Sequence, residues 1–241
     1  MKANSTTYYQ AKACTKRIQI HQGGTRSGKT WSLLQVLAEW CYTHQNWNHI
    51  ITICRKTLPA LKATAMRDFL EIIDGAGWYN VANHNRSDHT YRLFGNLIEF
   101  VSIDESQKIR GRKRNMLFLN EANELTLEDW RQLVIRTAPG PIILDFNPSD
   151  EFSWIYDDVL PREDAAFFQT TYKDNPHLSE SLVREIELLK TADPNYWRIY
   201  GLGERGSSPA VIFPSWHGVG SIPENAKLVA HGLDFGYTND P

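Results

Sequence analysis

The sequence predicts an α/β fold in which a mainly parallel, doubly wound sheet is flanked by helices, and three observations carry that expectation. Short apolar runs alternate with segments of helical period along the chain, the pattern of strands joined through crossover helices. The run Met116–Leu119 is continuously apolar, as a strand covered on both faces must be, and Ile50–Cys54 reads as another buried strand. A glycine-rich octapeptide, residues 23–30, stands between an alternating strand-like segment and a helix-like one.

The chain has 241 residues, enough for one full α/β core and an appendage. Hydrophobic residues at 41% and charged residues at 22% are ordinary for a globular protein and argue against extended disorder. The net charge of −2 lacks the basic excess of a stable nucleic-acid-binding surface, so any such contact must be local or weak. No apolar run reaches membrane-spanning length and the start MKANSTTYYQ lacks a signal-peptide core, so the expectation is a cytoplasmic protein without a membrane partner. Cys14, Cys41 and Cys54 form no C-x-x-C pair and read as reduced thiols rather than a zinc site.

Gly23-Gly24-Thr25-Arg26-Ser27-Gly28-Lys29-Thr30 satisfies G-x-x-x-x-G-K-[ST] in full. Arg17–His21 before it alternates like a strand, and Trp31–Cys41 after it has apolar residues at helical spacing, which is the context the motif requires. Glycines let backbone N–H groups turn around a phosphate, and the helix N-terminus adds partial positive charge. Lys29 is then expected to reach the β/γ-phosphates of ATP, and the Thr30 hydroxyl to ligate Mg²⁺. Arg26, inside the loop, is placed to contact the γ-phosphate in cis or to relay its presence.

A hydrolase of this kind needs a second strand ending in an acid, and Asn115-Met-Leu-Phe-Leu-Asn-Glu-Ala122 supplies one. Glu121 follows the strand's C-terminal end, where open α/β sheets keep their ligands, and is assigned to polarise the attacking water. Asn120 stands where many such ATPases place an Asp that holds Mg²⁺ through water. Two readings stay open: Mg²⁺ relies on Thr30, phosphates and water with Asn120 beside them, or Glu121 is the metal-side acid and Glu124 lies nearer the water. Thr126 as N-cap, Asp129 at N3 and the Leu125/Trp130 staple start a helix just beyond, so the loop carrying Glu121 is short and held at both ends.

Ile50–Cys54 leads through Thr57 and Pro59 into a helix with Leu61, Met66, Phe69 and Ile73 on one face and a stop at Gly75. Thr90–Phe94 and Leu97–Val101 read as a hairpin turning at Gly95-Asn96. Pro141–Phe146 is a further buried strand ending at Asn147-Pro148, where Asn147 is either a γ-phosphate sensor or a turn initiator. Ala166–Thr171 reads as another strand, and helices are expected over Ser179–Lys190 and Pro194–Tyr200. Gly203–Pro209, rich in turn residues, is the candidate linker, dividing a domain at 1–206 from a segment at 207–241.

Lys108, Arg110, Arg112, Lys113 and Arg114 crowd the entry to the second strand. A solvated loop is one reading. The sharper one places this loop at the sheet's edge facing a neighbouring subunit's ATP, with Arg110 and Arg112 as candidates to stabilise charge on the transferring phosphoryl group.

The octapeptide, Lys-Ile-Arg-Gly-Arg-Lys-Arg ahead of Leu-Phe-Leu-Asn-Glu-Ala-Asn-Glu, Asp-Phe-Asn-Pro-Ser, and Tyr200-Gly-Leu-Gly-Glu-Arg together resemble phage terminase large subunits, from about Arg17 to Asp240. The resemblance implies a P-loop NTPase domain of the additional-strand class at 1–206, an ATP-driven motor that moves double-stranded DNA into a procapsid in the host cytoplasm. It implies a homo-oligomeric ring at the portal protein, with the terminase small subunit as a further partner, and leaves a monomer as the alternative for the isolated chain. On the family pattern Lys29 and Thr30 bind phosphates and Mg²⁺, Glu121 is catalytic, Asn147 couples hydrolysis to movement, and Tyr8–Gln10 contacts adenine. Leu228–Gly236 then resembles the first strand of an RNase H-like nuclease domain, with Asp234 as its first metal ligand. Two-metal cleavage needs further carboxylates, so the expectation is an N-terminal fragment without nuclease activity.

Two alternatives share the phosphate site: another DNA-directed motor of the helicase or recombinase kind, and a nucleotide-gated assembly module that binds ATP without turnover, which Asn120 encourages.

Overall fold

A computed structural model describes residues 4–105, 113–149 and 153–206, with Ser221 and Lys227 as isolated positions. The chain divides into two units, Met1–Ser208 and Pro209–Pro241, and the architecture below is that of the first. Arg110, Arg112, Asp234 and the expected nuclease strand lie outside the described residues.

Eight strands form one sheet: β1 (Ile18–Gly23), β2 (Ile50–Arg55), β3 (His84–Asn85), β4 (Thr90–Leu93), β5 (Asn96–Ser102), β6 (Met116–Leu119), β7 (Ile142–Phe146) and β8 (Ala165–Thr170). Their spatial order is β3-β4-β5-β2-β6-β7-β1-β8. The six from β5 to β8 in that order run parallel, and β3 and β4 add antiparallel strands at one edge. β7 lies between β1, which carries the glycine-rich loop, and β6, which carries Glu121. That interposed strand bears out the additional-strand expectation.

The apolar runs are explained by the two faces. Along β6, Met116 and Phe118 enter a core with Leu33, Leu37, Ile51, Ile53, Phe69 and Tyr91, while Leu117 and Leu119 enter another with Ile18, Ile20, Leu133, Leu144 and Ile155. Side chains alternate between faces, so a strand covered on both sides shows no polar alternation. Burial of each such side chain contributes about 2 kcal/mol.

Helix α1 (Thr6–Ala13) packs on α2 (Lys29–Thr43), which leaves directly from the glycine-rich loop. Helix α3 comprises Leu58–Leu61, a π turn at Lys62–Met66, and Arg67–Gly75. Its expected apolar residues are all buried, and the five-residue step from Leu61 to Met66 matches the i→i+5 period of that turn. α4 (Leu127–Val134) carries the expected capping box: Thr126 Oγ1 accepts from Asp129 N at 3.2 Å and Asp129 Oδ2 accepts from Thr126 N at 2.9 Å. α5 (Glu180–Ala192) is capped by Ser179, and α6 (Pro194–Tyr196), capped by Asp193, runs into a π turn at Trp197–Gly201.

One turn differs from expectation. The β4–β5 hairpin turns at Phe94-Gly95, with φ of 50° and 82°, because a two-residue loop with both residues left-handed matches strand twist. Asn96 instead pairs with Leu93, is fully buried, and binds His49 N and His44 O through its side chain.

Candidate functional site

The parallel strands converge at their C-terminal ends, and there β1, β6 and β7 bring together residues distant in sequence. β1 ends at Gly23, and the loop that follows contains two left-handed residues, Arg26 (φ 66°) and Gly28 (φ 78°). Gly28 is the N-cap of α2 and offers no side chain to its first turn, leaving that helix terminus to an external acceptor. Ser27 Oγ, buried within the loop, has no hydrogen-bond partner among the described residues. A buried hydroxyl and a helix start without a side-chain cap, side by side, suit a phosphate group.

Lys29 is nearly buried; its Nζ donates to Gly23 O at 3.2 Å and to Asn147 Oδ1 at 2.6 Å. Burial pushes its pKa below the ordinary lysine value, opposed by the charges of Asp145 and Glu121. Thr30 Oγ1 donates to Asp145 Oδ2. Asp145, on β7, is fully buried, and its other oxygen accepts from Asn120 Nδ2 at 3.0 Å and from Glu121 N at 2.9 Å.

Glu121, separated from the end of β6 by Asn120, has φ 52°, a left-handed conformation that a glutamate adopts only where its surroundings impose it. Burial raises its carboxyl pKa, Asp145 raises it further, and Lys29 and Arg55 pull it back. Glu124 is engaged elsewhere: Arg55, at the end of β2, grips it through Nε at 3.2 Å and Nη2 at 3.0 Å, while Arg55 Nη1 donates to Thr64 Oγ1 at 2.9 Å. Of the two acids, Glu121 is therefore the one whose charge couples to Lys29, and Glu124 is tied to an arginine.

The segment after α6 closes over the loop. Thr25 N donates to Tyr200 O at 2.7 Å and Gln22 Nε2 to Gly203 O at 2.6 Å, while Gly24 N donates to Thr170 O, at the end of β8, at 3.1 Å. Gly24 is required here, since a Cβ would stand 2.4 Å from Tyr200 O. Beside Gly28 opens a cavity of about 420 Å³ lined by Asn4, Ser5, Trp31, Gln35, Asn175 and His177. Tyr8 is buried and donates to Glu39 Oε2 at 2.6 Å, and Tyr9 is exposed. Arg26 is exposed, and its carbonyl accepts from Asn175 Nδ2 at 2.9 Å.

The structure thus brings Gly23 to Thr30, Asn120, Glu121 and Asn147 into one cluster. Sequence reasoning passes over Asp145, Arg55 and the Tyr200–Gly203 cover. An acid within an otherwise apolar strand is the available signal for Asp145. Among the described residues no group of three or more His, Cys, Asp or Glu side chains is arranged to hold a metal by itself, so a cation here needs phosphate or water ligands as well.

Comparison with known proteins agrees with this fold. The large terminase of a thermophilic bacteriophage superposes with a TM-score of 0.72 at 18% identity, over 84% of this chain and 53% of that one. The same protein in complex with ATP-γ-S gives 0.70 at 18%, over 83% and 52%. The large terminase ATPase domain of Thermus phage P74-26 gives 0.62 at 13%, over 84% and 94%. At these identities the likeness concerns the fold. The large subunit of the Bacillus phage SPP1 terminase is 27% identical over 175 residues, which are 63% of this chain and 42% of that protein. The chain spans about half the length of these relatives, the separate ATPase domain excepted. The family model for the phage terminase large subunit matches residues 15–204, and the chain belongs to that family.

Proposed function

We propose that residues 1–206 form the ATPase domain of a viral DNA-packaging motor, which hydrolyses ATP to translocate double-stranded DNA into a procapsid. The observation that carries this reading is the convergence of Lys29, Thr30, Glu121 and Asn147 at the C-terminal ends of three adjacent strands. The complex of the thermophilic phage's large terminase with ATP-γ-S supports ATP as the nucleotide.

The loop from Gly23 to Thr30 wraps the phosphates, and the cavity beside Gly28 has room for a base and sugar. Lys29 leaves Asn147 to meet the β/γ-phosphates, so Asn147 exchanges partner when nucleotide binds. Glu121, a base with a raised pKa, takes the proton of a water attacking the γ-phosphorus, and ADP is the leaving group. Mg²⁺, held on the protein side by Thr30 with Asn120 nearby, neutralises phosphate charge when bound. Arg26 is assigned to contact the γ-phosphate in cis or to relay its presence, and Arg110 and Arg112 are assigned to a neighbouring subunit's nucleotide in a homo-oligomeric ring.

The portal protein and terminase small subunit are the proposed partners, and the host cytoplasm the place of action. No helix among the described residues is long and apolar enough to cross a membrane. Residues 207–241 are proposed as linker and first strand of an RNase H-like nuclease, with Asp234 as a metal ligand.

Phosphate release with and without double-stranded DNA, against Glu121→Ala, tests the reading. A motor gives DNA-stimulated turnover that Glu121→Ala abolishes. An assembly module binds ATP without turnover under either condition, and DNA unwinding would favour a helicase. Arg112→Ala should abolish turnover while binding survives.

A further inference from the structure

In the position where many P-loop ATPases carry an aspartate beside Mg²⁺, this chain has Asn120, which brings no charge. The amide N–H of Asn120 is donated to Asp145 at 3.0 Å, and its Oδ1 lies 3.5 Å from Thr64 Oγ1. The charge that β6 lacks is present on β7. Asp145 is fully buried, and its carboxylate accepts the Thr30 hydroxyl, the Asn120 amide and the Glu121 backbone N–H. A buried carboxylate is costly to desolvate unless it is compensated. Three donors supply part of the compensation, and the Lys29 ammonium, which responds to the charge of Asp145, supplies more.

We propose that Asp145 is the metal-side acid of this site: a positioning residue that orients Thr30 toward Mg²⁺ and returns, from the interposed strand, the negative charge missing at Asn120. The proposal rests on the nucleotide reading above. A threonine hydroxyl has one hydrogen and two lone pairs. With its hydrogen committed to Asp145, the lone pairs of Thr30 are left for a cation, and the adjacent anion makes the oxygen a better donor, as outer-shell carboxylates do for metal ligands elsewhere. The same carboxylate holds the N–H of Glu121, whose backbone is left-handed. One side chain on β7 therefore ties the metal half of the site to the water half.

The fit is specific to this arrangement. β7 lies between β1 and β6, so a residue near its C-terminal end is the one able to touch both Thr30 and Glu121. Arg55, at the end of β2 on the far side of β6, is already paired with Glu124. Among the described residues no side-chain cation hydrogen-bonds Asp145 directly, and its charge remains available to a metal.

The test is ADP binding to the full 241-residue chain by calorimetry, in EDTA and in Mg²⁺, with Mn²⁺ binding in the presence of ADP read by electron paramagnetic resonance. The parent is expected to bind ADP more tightly with metal than without. Asp145→Asn keeps the shape and should hold metal-free ADP affinity within about threefold, while Mn²⁺ affinity falls by roughly 10- to 100-fold. The double exchange Asn120→Asp with Asp145→Asn restores one carboxylate to the site and should recover most of the metal affinity; it also serves if the single variant does not fold. Parent-like Mn²⁺ affinity in Asp145→Asn, or a folded double exchange without metal-dependent binding, overturns the assignment while leaving the nucleotide reading intact. A parent that binds no ADP overturns the nucleotide reading itself, and this proposal with it.

Discussion

Gly24→Ala is expected to unfold the cover of the phosphate loop at measurable cost, without any nucleotide present. The added Cβ would stand 2.4 Å from Tyr200 O, 2.8 Å from Gly201 O and 3.0 Å from the Tyr200 carbonyl carbon, all backbone atoms without a rotamer to yield. The segment must therefore shift, and two contacts that hold it depend on its place: Thr25 N to Tyr200 O at 2.7 Å and Gln22 Nε2 to Gly203 O at 2.6 Å. Overpacking of this kind costs about 1–3 kcal/mol, and each lost hydrogen bond adds about 1 kcal/mol. A total of about 3–5 kcal/mol is expected, which lowers Tm by roughly 6–20 °C in a domain of this size. The control is Gly75→Ala at the end of α3, where an added Cβ meets nothing within 4 Å. That change should be neutral or stabilising by up to about 1 kcal/mol. Thermal melts of both variants read the difference directly. Equal melting temperatures for the two would refute the claim that Tyr200–Gly203 docks on the loop.

Two further outcomes follow from the electrostatics. Glu121 titrates above its unfolded value of about 4.3, so the folded state favours the protonated form and ionisation at neutral pH costs stability. Glu121→Gln should thus raise Tm at pH 7, the gain shrinking away as pH falls to about 4, while turnover is lost; an unchanged Tm at pH 7 would contradict the burial argument. Arg55→Met removes the positive charge that holds the Glu121 carboxyl down and leaves the partly exposed Glu124 unpaired. The acid limb of the kcat/KM profile should move to higher pH, with a stability loss of about 1–2 kcal/mol, and an unmoved limb would detach Arg55 from the site.

What is legible in the sequence is local. The phosphate loop declares itself because glycines, lysine and threonine stand within eight residues, between a strand and a helix that the apolar spacing marks. Glu121 stands out because a buried run ends just before it, and the Thr126–Asp129 box because a cap is written in four residues. Asp145 escapes because its meaning is non-local. Thr30 is 115 positions away and Asn120 is 25, and the insertion of β7 between β1 and β6 is what brings them into contact. In the sequence it reads as one polar residue in a strand that ends at Asn147, and the Asn draws the attention. Arg55 and Thr64 escape for the same reason, meeting across a π turn whose five-residue spacing does not by itself differ from an ordinary helical face. The hairpin lies where the sequence puts it but turns one residue earlier, since Gly95 serves equally well as the first or second residue of a two-residue loop until the ladder fixes the register.

Nucleotide binding at the glycine-rich loop is tested most directly by ATP binding to Lys29→Ala against the parent, by calorimetry with Mg²⁺ in both samples. Lys29 is buried between Gly23 and Asn147, and a charge-assisted contact to phosphate contributes about 1.5–3 kcal/mol. A phosphate held by Lys29 requires the variant to bind ATP roughly 10- to 150-fold more weakly while remaining folded. A folded variant that binds ATP as tightly as the parent would contradict it.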